Sequence, residues 1–178
     1  MLAGHLASAI ALKARTPQAP TWGLVVGVFL LDILFGLLWA LGIEHATLTP
    51  GVDAGFRLDF IDWSHSLATS IVWAALFGGL WLRRGRVVAG MMAVAVFSHF
   101  VLDLPVHPPD MALWPNASTH LGLGLWRTPF WWWFELAVVA ACLGYAFVRT
   151  QRRRALAWGS GVALALHAVN APWLAVGR

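Results

Sequence analysis

Charge is what this sequence has least of. Asp, Glu, Lys and Arg make up 11% of the 178 residues, against 60% hydrophobic residues, too few polar side chains to clothe a water-soluble globule of this size. That balance excludes a soluble fold and matches a bilayer as solvent, as does a mean hydropathy of +0.71. Cysteine is nearly absent too. Cys142 alone, inside an apolar run, leaves neither a disulfide framework nor a thiolate metal cluster within one chain. No basic region precedes the first apolar stretch and no small-residue cleavage site follows it, so Met1 is expected to belong to the mature protein. Internal repeats, low-complexity segments and any composition shift that would mark a second module are also missing.

What the chain does have is long apolar runs. Trp22 to Ile43, Ser64 to Leu82, Val87 to Leu104, Phe130 to Arg149 and Ala155 to Val176 can each cross a core of about 30 Å at about 1.5 Å per residue. Leu2 to Leu12 reaches about half that distance and is read as a short crossing completed by tilt and flanking residues. The expected fold is all-α: a polytopic membrane helix bundle of six transmembrane helices, or five if the first does not cross. One integral membrane domain spans 1–178, with helices near 2–14, 22–43, 64–82, 87–104, 130–149 and 155–176.

The net charge of +4 does not point to nucleic acid, because the basic residues sit in short clusters between apolar runs. Lys13 and Arg15, then Arg83, Arg84 and Arg86, then Arg149, Arg152, Arg153 and Arg154 fall in alternate connections, leaving Arg57, Arg127 and Arg178 opposite. The positive-inside rule makes those three connections cytoplasmic. The other face receives the longest loops, Glu44 to Trp63 and Pro105 to Pro129, which carry Glu44, Asp53, Asp59, Asp62 and Asp110 with His45, His107 and His120. Trp131-Trp132-Trp133 stands where a helix enters the bilayer and reads as an interfacial aromatic belt.

Several residues do not belong in lipid. An ionised side chain at the centre of a spanning helix costs about 2.5–3.5 kcal/mol on insertion scales and therefore needs a partner, a cavity or a function. Asp32 lies among Leu30-Leu31 and Ile33-Leu34 with no adjacent cation. His99 and Asp103 are four positions apart and share a helical face. His65 opens the third run, where Asp62 or Ser64 is expected to cap the helix. His5 reaches the same outer half if the first segment crosses. Together His5, Asp32, His65, His99 and Asp103 form a set of imidazoles and carboxylates suited to Zn²⁺, or to Mn²⁺ or Fe²⁺ with more water retained. The alternative is interhelical hydrogen bonding, with Asp103 holding His99 and Asp32 bound to a hydroxyl such as that of Ser98. His167, alone among Ala and Leu, reads as a packed or hydrogen-bonded core residue, and His45 as solvated. His107, in a proline-stiffened loop just beyond Asp103, and His120 are placed at the entrance of the site.

Gly4-His5, Leu31-Asp32, Ser64-His65-Ser66-Leu67 and Ser98-His99-Phe100-Val101-Leu102-Asp103, in this order, resemble the inner-membrane metal-dependent hydrolases of the LexA-binding, YdjM-like family. The resemblance covers about the first hundred residues. It departs where Ile61-Asp62-Trp63 stands in place of the family's His-Arg-Gly, and where Asp32 lacks a second acidic neighbour. It implies a bacterial inner-membrane location and a metal-dependent hydrolase. Asp62, His107 or His120 would then serve as general acid or base, and burial in the bilayer points to a lipid or lipid-linked substrate. Two other functions use the same residues: an ion or proton carrier, which at this length would call for a homo-oligomer, and a haem protein with axial ligands such as His65 and His99.

Overall fold

The computed structural model describes residues 1–48 and 56–171. Asp53 and the end of the last expected helix, 172–176, lie outside the described residues. Among them the chain is mostly helical: α1 Leu2–Arg15, α2 Thr21–Val28, α3 Leu30–Ala40, α4 Asp62–His65, α5 Leu67–Leu80, α6 Arg86–Asp103, α7 Phe130–Arg149 and α8 Arg153–Val169. Two helices, α6 and α7, are long and apolar enough to cross a membrane; the α2–α3 pair makes a third if it is one bent span. The shorter α5 is apolar but spans only 14 residues, about 21 Å at 1.5 Å per residue.

Two of the expected helices are broken. The run 22–43 turns by 55° between α2 and α3 at Phe29, whose φ of −109° and ψ of 4° leave the helical region. No proline sits at the break. Instead the carbonyl of Val28 accepts a hydrogen bond from His99 Nδ1 at 2.7 Å, an insertion of a side chain into the helical ladder that is a recognised cause of kinks. The run 64–82 breaks at Ser66, whose ψ of 156° is extended. Its Oγ accepts from Thr69 N at 3.3 Å and caps α5. Asp62 and Ser64, expected as caps, are engaged elsewhere.

The two long connections, expected as loops, also carry short strands. β1 (His45–Leu48) pairs antiparallel with β2 (Phe56–Phe60), with His45 opposite Phe60 and Ala46 opposite Leu58. β3 (Met111–Ala112) pairs with β4 (His120–Leu121). The chain after β4 then folds back over the C-terminus of α6: Leu123 N donates to Leu104 O, Gly124 N to His107 O and Trp126 N to Val106 O. The first of those bonds satisfies the carbonyl of the C-cap residue Leu104, which a helix end otherwise leaves unpaired. Gly122, at φ 129°, sits so close to this segment that a Cβ would stand 2.6 Å from the His107 carbonyl oxygen. Only glycine fits there.

Two apolar clusters hold the helices. Leu24, Val28, Phe77, Trp81, Met92, Ala95 and Val96 join α2, α5 and α6, with Gly27 allowing a close approach, since a Cβ there would lie 3.0 Å from that of Ala95. Ala3, Ala7 and Val139 join α1 to α7. α1 therefore sits between the two clusters. At its start, Glu135 of α7 accepts from Ala3 N at 3.1 Å and Gly4 N at 3.2 Å, standing in for the missing side-chain N-cap. The other Glu135 oxygen lies 3.0 Å from His167 Nδ1 on α8, and Trp132 stacks on that imidazole at 4.1 Å. His167 is thus a hydrogen-bonded core residue. Trp132 faces inward with it, whereas Trp133 is exposed as a belt residue would be.

Candidate metal centre

α6 supplies the middle of a His/Asp cluster. One turn separates His99 from Asp103, and His99 Nε2 lies 3.0 Å from Asp103 Oδ2. α1, anchored by Glu135, brings His5 Nε2 to 3.1 Å from Asp103 Oδ1 and stacks its ring on that of His99 at 3.9 Å. The Met1 ammonium is 3.3 Å from the same Asp103 oxygen. The bent α2–α3 segment brings Asp32 Oδ1 to 3.5 Å from His99 Nε2 and 3.7 Å from His65 Nε2. α4 brings His65 Nε2 to 3.3 Å from His99 Nε2. Donors from α1, α3, α4 and α6 therefore meet in two groups, His5–His99–Asp103 and Asp32–His65–His99, which share His99. Of the hydrogen-bonding alternative, Asp103 does hold His99, but Ser98 Oγ donates to Ala95 O at 2.8 Å rather than to Asp32.

The spacing fits a metal ion. Bonds of about 2.0–2.2 Å in tetrahedral geometry place ligand atoms roughly 3.3–3.6 Å apart, and the Asp32–His65–His99 donors lie 3.3, 3.5 and 3.7 Å apart. The far nitrogens are arranged accordingly. With Nδ1–H of His99 given to Val28 O, Nε2 is the nitrogen turned toward the carboxylates. A metal-binding imidazole is usually oriented in this way by a bond at its other nitrogen. The His5 Nδ1 atom is buried without a hydrogen-bond partner among the described residues.

His65 is oriented through a buried chain that no sequence spacing marks. Glu44, fully buried, accepts from Ser64 N at 2.8 Å and from Ser64 Oγ at 2.7 Å, and Ser64 Oγ lies 2.7 Å from His65 Nδ1. With the Ser64 proton given to Glu44, the hydroxyl oxygen accepts Nδ1–H and His65 Nε2 is left as a lone pair facing Asp32 and His99. Burial pushes the Glu44 carboxyl above its ordinary pKa, and the Ser64 bonds offset this only in part. Breaking the chain with Ser64→Ala should weaken metal binding about 10–100-fold, the usual cost of losing such an outer partner. Ser98→Ala should leave it unchanged. Competitive titration with a chromophoric chelator reads both.

The three residues expected to serve as general acid or base separate. His107 is buried, with Nε2 3.5 Å from Asp103 Oδ2 and Nδ1 3.0 Å from Asp110 Oδ1. Burial opposes protonation of its imidazole, but the bonds to Asp103 and Asp110 outweigh it and raise the pKa. Asp62 is buried and accepts from Asn116 N at 2.8 Å, tying the long loop to α4. His120 is exposed, with Nδ1 3.3 Å from Ser118 O.

No protein-family model matches this chain, and neither a curated protein nor a solved structure matches it.

Proposed function

We propose that this protein is a membrane-embedded metal-dependent hydrolase, of the inner-membrane family its first hundred residues resemble, acting on a lipid or lipid-linked substrate. The observation that carries the proposal is the meeting of His5, Asp32, His65, His99 and Asp103 in two groups of ligand spacing that share His99. The α1, α2–α3, α4–α5, α6, α7 and α8 segments would cross the bilayer as six spans, with the Lys13, Arg83 and Arg149 clusters cytoplasmic. Exposed apolar side chains such as Leu80, Val148 and Trp158, at 79%, 78% and 80% exposure, then face lipid.

Zn²⁺ suits the donors best, with Mn²⁺ or Fe²⁺ as alternatives, and such an ion supplies Lewis acidity and lowers the pKa of water toward about 7. The protein's own part is to hold the ligands. His99 and His65 present Nε2, Asp32 and Asp103 balance the charge, and His107, between Asp103 and Asp110, is placed to pass a proton to a leaving group. The Asp32 side chain is 51% exposed on α3, a helix whose Ile33, Leu37 and Trp39 are 52%, 56% and 51% exposed. That apolar approach supports a substrate arriving from the lipid side.

Protein purified without chelator should carry tightly bound Zn²⁺ by elemental analysis and cleave a phosphoester or carboxylic ester lipid in mixed micelles. Chelation should abolish cleavage and Zn²⁺ should restore it. His107→Asn, assayed at saturating Zn²⁺ because His107 also contacts Asp103, should lower turnover by about 100-fold or more, as expected for loss of a general acid or base. A metal-free protein that also takes up no Zn²⁺ refutes the metal centre. A loaded protein that cleaves neither lipid class refutes the hydrolase.

A further inference from the structure

A second site lies at the opposite end of the bundle. A cavity of about 560 Å³ opens between α1, the start of α2, the end of α7 and the start of α8, within the range of about 300–1,000 Å³ typical of ligand pockets. Its floor is apolar, built from Leu6, Ile10, Val25, Leu156 and Val162, and its mouth carries Lys13, Arg149 and Arg152. Segments 12–22, 80–88 and 147–157, which form this end, contain no acidic residue. None of the three cations forms an ion pair among the described residues. Lys13 Nζ donates to Pro17 O at 2.8 Å and Ala19 O at 2.6 Å, which leaves its third proton free. Arg149 lies over the Tyr145 ring, its guanidinium edge available. Arg153, by contrast, is turned away onto Phe147.

An apolar groove under an unneutralised cationic rim has the polarity of an anionic phospholipid: phosphate at the mouth, acyl chain along the floor. We propose that this groove binds one anionic phospholipid, its phosphate held by Arg149 and Arg152 with Lys13 beside them, and its acyl chain lying along Ile10, Leu156 and Val162. Basic pockets between membrane helices are suited to such headgroups. The proposal is independent of the metal centre and of any hydrolysis.

The test is native mass spectrometry of the full chain released from detergent. Dioleoylphosphatidylglycerol and dioleoylphosphatidylcholine serve as probes, sharing acyl chains and differing in charge. The wild type should retain phosphatidylglycerol preferentially. The Arg149→Gln/Arg152→Gln pair should weaken that retention about 25-fold, at about fivefold for each charge, and Arg149→Lys/Arg152→Lys should restore it. Gly159→Leu adds bulk beside Ile10, where a Cβ already meets Cδ1 at 3.1 Å, and should weaken binding of the chain while the charges remain. Elution of each variant on gel filtration reports folding, and Gly159→Leu carries the test if the arginine pair does not fold. Equal retention of both lipids overturns the proposal. So does a preference that survives loss of both arginines, or displacement of the lipid by inorganic phosphate in a protein indifferent to Gly159→Leu, which would mark a free-anion site.

Discussion

Replacing His99 with alanine should remove bound Zn²⁺ down to background, the largest functional effect expected of any single change. His99 belongs to both donor groups. Its Nε2 lies 3.0 Å from Asp103, 3.3 Å from His65 and 3.5 Å from Asp32, so its loss takes a ligand from every arrangement the cluster can offer an ion. It also leaves Asp32 and Asp103 facing a void without their shared imidazole, which makes the remaining donors poorly placed to close around a metal. Asp103→Ala should do nearly as much, because its two oxygens separately address His5 and His99. His45→Ala, on the exposed hairpin, should retain the full metal content. Elemental analysis of gel-filtered protein distinguishes these outcomes. Undiminished Zn²⁺ in both His99→Ala and Asp103→Ala would refute the site.

The largest effect on stability is expected from Glu135→Ala. One carboxylate serves three donors on two other helices: Ala3 N and Gly4 N of α1 and Nδ1 of His167 on α8. Glu135 is 1% exposed and His167 3%, so water cannot replace the lost bonds. Removing one partner of a buried, hydrogen-bonded charged group costs about 3–5 kcal/mol, and the orphaned backbone N–H groups add to the desolvation penalty. A drop of that size should appear in denaturant unfolding in detergent. Glu135→Gln keeps a carbonyl oxygen for the α1 N–H groups and should recover a large part of it. Because α1 carries His5, metal affinity in Glu135→Ala should fall as well, although the residue is not itself a ligand. Wild-type stability in Glu135→Ala would show that α1 is held by its apolar contacts alone.

How much of this was legible in the sequence follows from the range of the interactions. The apolar runs located α6 and α7 to within a residue or so, since hydropathy over a long stretch is a property of the chain itself. The His99–Asp103 pair was legible for the same reason, because an i, i+4 spacing places two side chains on one face whatever surrounds the helix. Glu44 was invisible as a partner of His65 because its link through Ser64 depends on the hairpin returning the chain to α4. Glu135 carried a usable signal, an acid inside an apolar run, which the cost argument applied to Asp32 would have singled out.

The break at Ser66 has a local cause, a serine capping α5 through Thr69 N, whereas the break at Phe29 could not be read locally. Neither has a proline, and at Phe29 it is His99, 71 positions away, that takes the neighbouring Val28 carbonyl. Composition and periodicity by themselves determined that this chain is helical and has segments apolar enough for a membrane, and they marked out the polar residues that segments of that kind hold only at a cost. Tertiary structure alone decided that those residues meet. Their convergence depends on α1 being anchored by Glu135 and on α2–α3 bending at His99, contacts between segments distant in sequence that no local pattern encodes.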